Sequence, residues 1–347
     1  MEQKKRNLVT LGSTGITVEK NSFGALPIQR ISDSEAAGLL RYAYDRGVNF
    51  FDTARAYSDS EHKIGLGLAD VRENIILATK TMARTREAAL ADLETSLANL
   101  KTDHVDIWQL HCIPELPDPN DPDSAYQALV EARRQGKTRF IGVTAHRIDV
   151  AIAAAKSGLY DTVQFPLCYL ASDKDLELIR VCREHNVGLI AMKGMSGGLI
   201  SSPRAAYAFF TRYDNVVPIW GVQKQSELDD FLTAAEEGVT CTPELEAIME
   251  KDRRELQGDF CRGCGYCMKT CPAGIPISDA ARMTLMLGRA VWQRYTTPEW
   301  IEKMKTIENC LHCGLCRSHC PYELDTPRLL EENYAYFMQF CKEKGLI

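Results

Sequence analysis

The stretch "SDSEAAGLLRYAYDRGVNFFDTA" (residues 32–54) contains a predicted helix followed by a predicted strand. Ser32 or Asp33 can cap the start of the helix, and Gly47 can close its end. The strand is a continuous apolar run that ends at Asp52. A strand that is apolar on both faces and follows a helix is typical of a parallel sheet covered by helices. This stretch therefore predicts one unit of an alternating β/α fold.

The same alternation continues through the first 240 residues. The predicted strands are 22–27, 48–54, 74–80, 105–111, 139–145, 162–167, 187–193 and 216–222. Helical patterns lie between them, as at 85–100 and 172–188. Eight β/α units in roughly 220 residues match the size of a closed (β/α)8 TIM barrel. An open doubly wound sheet is the alternative, but "FGALPIQ" (23–29) lacks the G-x-G-x-x-G sequence that usually follows its first strand.

Four polar residues are placed at the carboxyl ends of neighbouring predicted strands, where barrel enzymes carry out their chemistry. They are Asp52, Tyr57 five residues later, Lys80 and His111. Alone, each has a structural explanation as a helix cap, a surface residue or a core residue. Together they predict a proton donor: an ammonium lowers the pKa of a phenol, a carboxylate holds the ammonium, and an imidazole orients a carbonyl oxygen.

These residues lie in motifs that resemble the aldo-keto reductase family. "GVNFFDTARAYSDSE" (47–61) matches its G-x-x-x-[FI]-D-T-A-x-x-Y-x-x-[SN]-E block, and "ATK" (78–80) and "WQLH" (108–111) match two of its strands. "LGSTGITVEKNSFGALP" (11–27) resembles the hairpin that closes the bottom of its barrel. The resemblance implies NAD(P)H-linked reduction of a small-molecule carbonyl substrate. Tyr57 would be the general acid, supported by Lys80, Asp52 and His111.

The resemblance also implies NADP(H) as cofactor, with NAD(H) as the alternative. The implied cofactor-binding residues are Thr144, Gln164, Met192, Lys193, Gly197, Gly198, Gly221 and Lys224. Met192 stands at the family's aromatic position, and Ala145 replaces an asparagine. The adenosine end departs further, because Gln223, Glu227 and Phe231 replace the family's arginine, glutamine and asparagine.

Two cysteine runs, "CRGCGYCMKTCP" (261–272) and "CLHCGLCRSHCP" (310–321), share the spacing C-x-x-C-x-x-C-x-x-x-C-P. This spacing is typical of 4Fe-4S clusters in two-cluster ferredoxins, where the fourth cysteine of each run binds the other cluster. Zinc is the alternative ligand for C-x-x-C pairs, and it fits the third C-x-x-C step less well. The predicted ligand sets are Cys261, Cys264, Cys267 and Cys320 for the first cluster, and Cys310, Cys313, Cys316 and Cys271 for the second.

The chain is therefore predicted to have two domains. Residues 1–240 form the barrel, and residues 241–347 form a linker helix (242–258) and an α-helical and loop ferredoxin-like domain with two 4Fe-4S clusters. An insert (277–309) is predicted as two helices, and a final helix at 327–344. The whole order resembles the iron–sulfur branch of the aldo-keto reductases. The other five of the 13 cysteines are predicted to be mostly buried apolar residues, with Cys112 and Cys168 near the barrel mouth.

Composition excludes several other classes of function. A net charge of −6 without a basic stripe argues against nucleic-acid binding. The sequence shows no export signal and no apolar run long enough for a membrane span, so we expect a cytoplasmic protein. Because exposed clusters are oxygen-sensitive, we expect its source to be an anaerobe. Three functions stay open: a nicotinamide-linked reductase whose clusters are structural or exchange electrons with an external ferredoxin or other carrier, a cluster-fed reductase without nicotinamide, and an electron-carrier subunit.

Overall fold

The computed structural model describes residues 8–256, 260–289 and 292–347. The chain divides into two compact units: a barrel unit of residues 1–194 and 203–249, and a C-terminal unit of residues 195–202 and 250–347. The loop 195–202 thus belongs to the C-terminal unit. The domain boundary predicted after residue 240 stays a prediction, because the limits of these compact units do not define where one domain ends and the next begins.

The barrel unit begins with an antiparallel hairpin, β1 (Leu8–Thr10) and β2 (Thr17–Glu19). Its turn passes so close to the chain before the seventh barrel strand that a Cβ on Gly12 would lie 2.5 Å from the carbonyl oxygen of Asn186. Val9, Leu11 and Val18 are buried in one cluster with interior residues of the barrel. The hairpin therefore closes the bottom of the barrel, as the resemblance implied.

Eight parallel strands close into a barrel in the order β10-β3-β4-β5-β6-β7-β8-β9. They are β3 (Ser22–Gly24), β4 (Phe50–Asp52), β5 (Ile76–Thr81), β6 (Val105–Leu110), β7 (Thr138–Thr144), β8 (Thr162–Pro166), β9 (Gly188–Met192) and β10 (Val216–Gly221). All eight predicted strands and the closed barrel are confirmed. The register places Lys80 beside Gln109 and Thr144 beside Gln164, so polar side chains of adjacent strands meet at the carboxyl end.

Helices alternate with these strands, as the sequence pattern predicted. They are α1 (Asp33–Asp45), α2 (Ser60–Leu68), α3 (Arg86–Leu100), α4 (Ala125–Arg134), α5 (Ile148–Lys156), α6 (Asp173–Glu184), α7 (Pro203–Thr211), α8 (Gln225–Glu236) and α9 (Pro243–Glu255). Ser32 caps α1 and forms a reciprocal capping box with Glu35, which fixes the start of that helix. The last residues of the predicted linker helix, 257 and 258, lie outside the described residues.

The described part of the C-terminal unit contains four short helices and one long helix around its own apolar core. They are α10 (Ile277–Ala280), α11 (Met283–Arg289), α12 (Pro298–Lys305), α13 (Leu315–Ser318) and α14 (Thr326–Glu343). Among the described residues of the insert, which exclude 290 and 291, three α-helices replace the two predicted, since α10 ends after one turn and α11 begins at Met283. No helix among the described residues is long and apolar enough to cross a membrane.

Candidate active site and cluster site

The carboxyl end of the barrel holds a buried ion pair. The Nζ atom of Lys80 donates to Oδ1 of Asp52 over 2.6 Å and to the carbonyl oxygen of Thr53 over 2.6 Å. Asp52 also accepts weaker hydrogen bonds from Gln109 at 3.5 Å and Gln164 at 3.4 Å. Burial raises the pKa of the Asp52 carboxyl, and the neighbouring Lys80 ammonium opposes that rise. The attraction between the two charges therefore offsets the cost of burying each of them inside the barrel.

The loop that carries Tyr57 is fixed by residues that were not assigned a role from the sequence. Ser60 donates to the carbonyl oxygen of Ala25 at 2.9 Å, and its hydroxyl lies 2.9 Å from that of Thr53. Glu61 is 1% exposed, pairs with Arg55 and accepts from Thr79 at 2.7 Å. Ser60 and Glu61 occupy the last two positions of the 47–61 motif. Their positions in that motif are the feature of the sequence that could have indicated a role for them at the site.

Tyr57 and His111 face each other at the mouth. Their rings pack edge to face with centroids 5.5 Å apart, and Nζ of Lys80 lies 5.2 Å from the centroid of Tyr57. Burial raises the pKa of the Tyr57 phenol well above its usual value near 10, and the negative charge of Asp52 adds to the rise. The expected lowering by Lys80 is not seen, because the Lys80 ammonium is already paired with Asp52. Tyr57 is accordingly protonated at neutral pH.

Two buried amide oxygens near the Lys80–Asp52 pair receive no hydrogen bond from the part of the chain that the structure describes. They are Oε1 of Gln164 and Oε1 of Gln109, in residues that are 1% and 0% exposed. A buried acceptor without a donor is costly, so a ligand that donates an N–H group there would be stabilised. The carboxamide of a nicotinamide carries such a donor. Gln164 therefore fits the cofactor role that the resemblance implied, and Gln109 is a candidate that the sequence did not single out.

A cysteine beside His111 is held in a constrained backbone conformation. Cys112 has φ +54°, and its N–H donates to Oγ1 of Thr144 at 2.7 Å. Its sulfur lies 3.8 Å from Nδ1 of the buried His146. Burial lowers the pKa of His146 well below 6.5, with contributions from Lys193 and His111, so this imidazole is neutral. Thr144, implied as a cofactor contact, thus also fixes Cys112.

The other implied cofactor residues of the barrel unit lie near the ends of β9 and β10. Met192 is half-buried and packs against the barrel interior, while Lys193 has φ +60°. Gly221 is exposed at the end of β10, and Lys224 is the exposed residue before α8. The last two implied residues, Gly197 and Gly198, are exposed and belong to the C-terminal unit.

The residues that depart from the family at the adenosine end have structural roles. The Phe231 ring stacks on the Trp220 ring, with centroids 4.0 Å apart and planes 10° from parallel. Phe231 is 4% exposed, so it is a core residue that packs α8 against β10. Oε2 of Glu227 accepts from the backbone N–H of Gln223 at 2.9 Å. Phe231 and Glu227 thus stand where the resemblance expects an asparagine and a glutamine, and the neutral Gln223 stands where it expects an arginine.

The first cysteine run contains its most buried thiols, Cys261 and Cys267, which are 9% and 8% exposed. Burial raises the pKa of Cys267 to about 12, and Cys261, Cys264 and Cys316 add to the rise. These thiols therefore lie near one another, and they need a cationic centre to hold them as thiolates. The donor set fits an iron–sulfur cluster in that respect. The fourth predicted ligand, Cys320, is half-buried against the core of the C-terminal unit.

The second run surrounds a cavity. Four cysteines line it, Cys271 of the first run together with Cys310, Cys313 and Cys316, and Leu311 and Leu315 stand beside them. This is the set predicted for the second cluster. No group of three or more Cys, His, Asp or Glu side chains within residues 8–256, 260–289 and 292–347 could hold a single metal ion. Cluster ligands differ from such a group because each binds its own iron.

Comparison with known proteins agrees with both parts of the molecule. Residues 20–205 match the Aldo/keto reductase family, and residues 260–325 match the 4Fe-4S dicluster domain. L-galactose dehydrogenase of Arabidopsis thaliana is 29% identical over 216 residues, covering 57% of this chain and 68% of that protein. An aldo-keto reductase of Alternaria alternata is 24% identical, covering 56% of this chain and 66% of that protein. The chain thus spans about two thirds of the length of these relatives.

Solved structures share the barrel. A crystal structure of an aldo-keto reductase from Klebsiella pneumoniae in complex with NADPH has a TM-score of 0.61 at 18% identity, covering 71% of this chain and 94% of that one. The fold and site define a parallel-barrel oxidoreductase with a C-terminal 4Fe-4S dicluster domain. The family match covers more than half of the 347 residues. The chain belongs to the aldo-keto reductase family.

Proposed function

We propose that this protein is an NAD(P)H-linked reductase of a small carbonyl compound, with two 4Fe-4S clusters in its C-terminal unit. The observation that carries the proposal is the group formed by Tyr57, His111 and the buried Lys80–Asp52 pair, next to Oε1 of Gln164, which accepts no hydrogen bond from the described residues. Family membership supports the reaction class. The NADPH bound in the Klebsiella pneumoniae structure supports the cofactor.

The reaction needs a hydride and a proton, and the nicotinamide supplies the hydride when it is bound. Tyr57 supplies the proton, because its raised pKa keeps the phenol protonated until a strongly basic alkoxide oxygen forms. Lys80 lies with Nζ 5.2 Å from the centroid of the Tyr57 ring, so it adds a positive charge beside the phenolate that its partner Asp52 largely balances. His111, edge to face with Tyr57, orients the carbonyl oxygen toward the phenol.

The residues that we propose to hold the cofactor divide into two groups. Gln164 would accept from the carboxamide, with Thr144 and Met192 beside the nicotinamide. The remaining proposed contacts are Lys193, Gly197, Gly198, Gly221 and Lys224. Lys224 is the cation left for a 2′-phosphate, and Glu227 three residues later weakens that preference. We propose NADP(H) as the cofactor. NAD(H), which lacks the 2′-phosphate, is the alternative that the negative charge of Glu227 favours.

The clusters supply one-electron chemistry. We propose Cys261, Cys264, Cys267 and Cys320 as ligands of one, and Cys310, Cys313, Cys316 and Cys271 as ligands of the other. The cavity lined by Cys271 and three cysteines of the second run supports the crossed arrangement. The proposed partner for this chemistry is an external ferredoxin or another electron carrier. Because eight ligand thiols must stay reduced, we propose a reducing cytoplasm as the location.

A second function is favoured by one observation. Phe231 is stacked on Trp220 where the family has an adenine-binding asparagine, so that end of the cofactor site lacks its usual contact. In this alternative the clusters deliver single electrons to a substrate at the barrel mouth, and Tyr57 still provides the proton. An electron-carrier role alone leaves the buried Lys80–Asp52 pair without a purpose, so we do not propose it.

One experiment separates the two functions. The protein is purified without oxygen and titrated with NADPH and then NADH, while cluster absorbance and the reduction of a panel of aldehydes and ketones are followed. The proposed function predicts nicotinamide-dependent loss of a carbonyl substrate. Binding of neither nucleotide, together with substrate reduction by chemically reduced clusters, would establish the alternative instead.

A further inference from the structure

The C-terminal unit contains a buried arginine that the proposed reaction does not use. Arg282 is 8% exposed and donates three hydrogen bonds. Its Nε reaches the carbonyl oxygen of Ser278 at 2.9 Å, its Nη1 that of Gly197 at 3.1 Å, and its Nη2 the Oδ1 atom of Asp279 at 3.3 Å. The guanidinium is therefore fixed in position and oriented toward the loop 195–202.

Two glycines make room for this guanidinium. A Cβ on Gly197 would lie 2.7 Å from Nη1 of Arg282, and a Cβ on Gly263 would lie 3.0 Å from its Cζ. Both glycines have left-handed backbones, with φ +65° and +62°, which side-chain-bearing residues rarely adopt. The guanidinium thus lies between the loop 195–202 and the first cysteine run, close to Gly197 of the loop and Gly263 of the run.

The cysteine run at this point carries predicted cluster ligands. The N–H of Gly263 donates to the sulfur of Cys261 at 3.4 Å, so the glycine that borders Arg282 also bonds a ligand sulfur. Asp279, which is 45% exposed, is the acid paired with Arg282, and solvent screens it more than the buried guanidinium. A buried positive charge beside a cluster stabilises its reduced form, because reduction adds negative charge.

We propose that Arg282 is a positioning residue that couples the first cluster to anion binding at the Gly197–Gly198 loop. Its charge raises the reduction potential of the cluster held by Cys261, Cys264 and Cys267. A pyrophosphate bound at the exposed loop shares that charge and lowers the potential. Reciprocity then requires that reduction of this cluster weakens binding of the dinucleotide. The identity of the anion rests on the proposed function.

The charge effect is tested by redox titration of the anaerobically purified holoprotein, followed by electron paramagnetic resonance. Arg282→Gln should lower the midpoint potential of one cluster and leave the other unchanged. Arg282→Lys should stay close to the wild type, and the control Arg328→Gln, an exposed arginine paired with Glu332, should shift neither. Cys313→Ser identifies the signal of the second cluster. The proposal would be overturned if Arg282→Lys shifted the midpoint potential as much as Arg282→Gln does. It would also be overturned by a shift in the second cluster alone, or by no shift in Arg282→Gln.

The coupling is tested by repeating the titration with NADP⁺ and with inorganic pyrophosphate. Either anion should lower the midpoint of the first cluster in the wild type and have a much smaller effect in Arg282→Gln. If NADP⁺ binds by calorimetry but leaves the wild-type midpoint unchanged, the coupling is wrong and the proposed function stands. If NADP⁺ does not bind at all, the proposed function fails, and the shift in Arg282→Gln without nucleotide still decides the charge effect.

Discussion

Lys80 donates to Asp52 over 2.6 Å, and the two residues are 1% and 2% exposed. The ammonium is thereby fixed under the ring of Tyr57, and its charge is largely balanced by the carboxylate. This balance explains why burial dominates the pKa of Tyr57. In the proposed reaction the phenol is a weak acid that gives up its proton only when the carbonyl oxygen has become strongly basic.

Tyr57→Phe tests the proton donor directly. The phenylalanine ring can keep the edge-to-face contact with His111, so the change removes little besides the hydroxyl. We expect kcat for carbonyl reduction to fall by about 10²–10⁴-fold, the usual contribution of general acid catalysis. The dissociation constant of NADP(H), measured by fluorescence, should stay within about threefold, because the proposed role of the phenol is to act on the substrate oxygen. Unchanged turnover would remove Tyr57 from the mechanism.

Lys80→Met tests the buried pair. It leaves the Asp52 carboxyl buried without its cation, so the free energy of unfolding should fall by about 3–5 kcal/mol in urea denaturation. Asp52→Asn removes the charge that Lys80 balances, and the double variant should lose less stability than the sum of the two single variants. Additive losses would mean that the two residues do not compensate each other. Turnover should be lost in all three variants.

The fold was predictable because the strand runs are continuous in sequence, and so were the positions of Asp52, Lys80 and His111 at strand ends. The pKa direction of Tyr57 was not predictable, since it depends on burial created by distant residues. Nor does spacing predict that Phe231 stacks on Trp220, or that the loop 195–202 groups with Arg282. Ser60 and Glu61 were in the quoted motif, but their role in fixing the Tyr57 loop depends on partners from other strands.

Lys20 should make stability depend on pH. It is 3% exposed, and burial lowers its pKa from 10.5 to about 8, against the opposing effect of Asp214. Between these values the unfolded chain binds a proton that the folded chain has released, so the free energy of unfolding rises with pH. The full gain is about 3 kcal/mol. Relative to Lys20→Met, the wild type should gain stability from about pH 7.5 to about pH 10, with exposed Lys174→Met as the control.

Cys271→Ser tests the crossed ligands. The residue belongs to the first run in sequence, but it lines the cavity of the second run. We expect the wild type to carry about eight irons and about eight acid-labile sulfides. In the variant the cluster of Cys310, Cys313 and Cys316 should be lost or altered, and the first cluster should keep its paramagnetic signal. Damage confined to the first cluster would show that each run binds its own cluster, and zinc in place of iron would contradict both assignments.

The double variant Cys264→Ala/Cys313→Ala tests whether the nicotinamide or the clusters supply the electrons. If the nicotinamide supplies the hydride, the folded double variant should keep most of the wild-type kcat at saturating NADPH. Its KM for NADPH should rise, because the proposed cofactor contacts Gly197 and Gly198 belong to the same compact unit as the proposed cluster ligands. Lys174→Met serves as the matched surface control, and circular dichroism checks that the variant is folded. A folded double variant that retains Tyr57 and Lys80 but cannot turn over at any NADPH concentration would assign the electrons to the clusters.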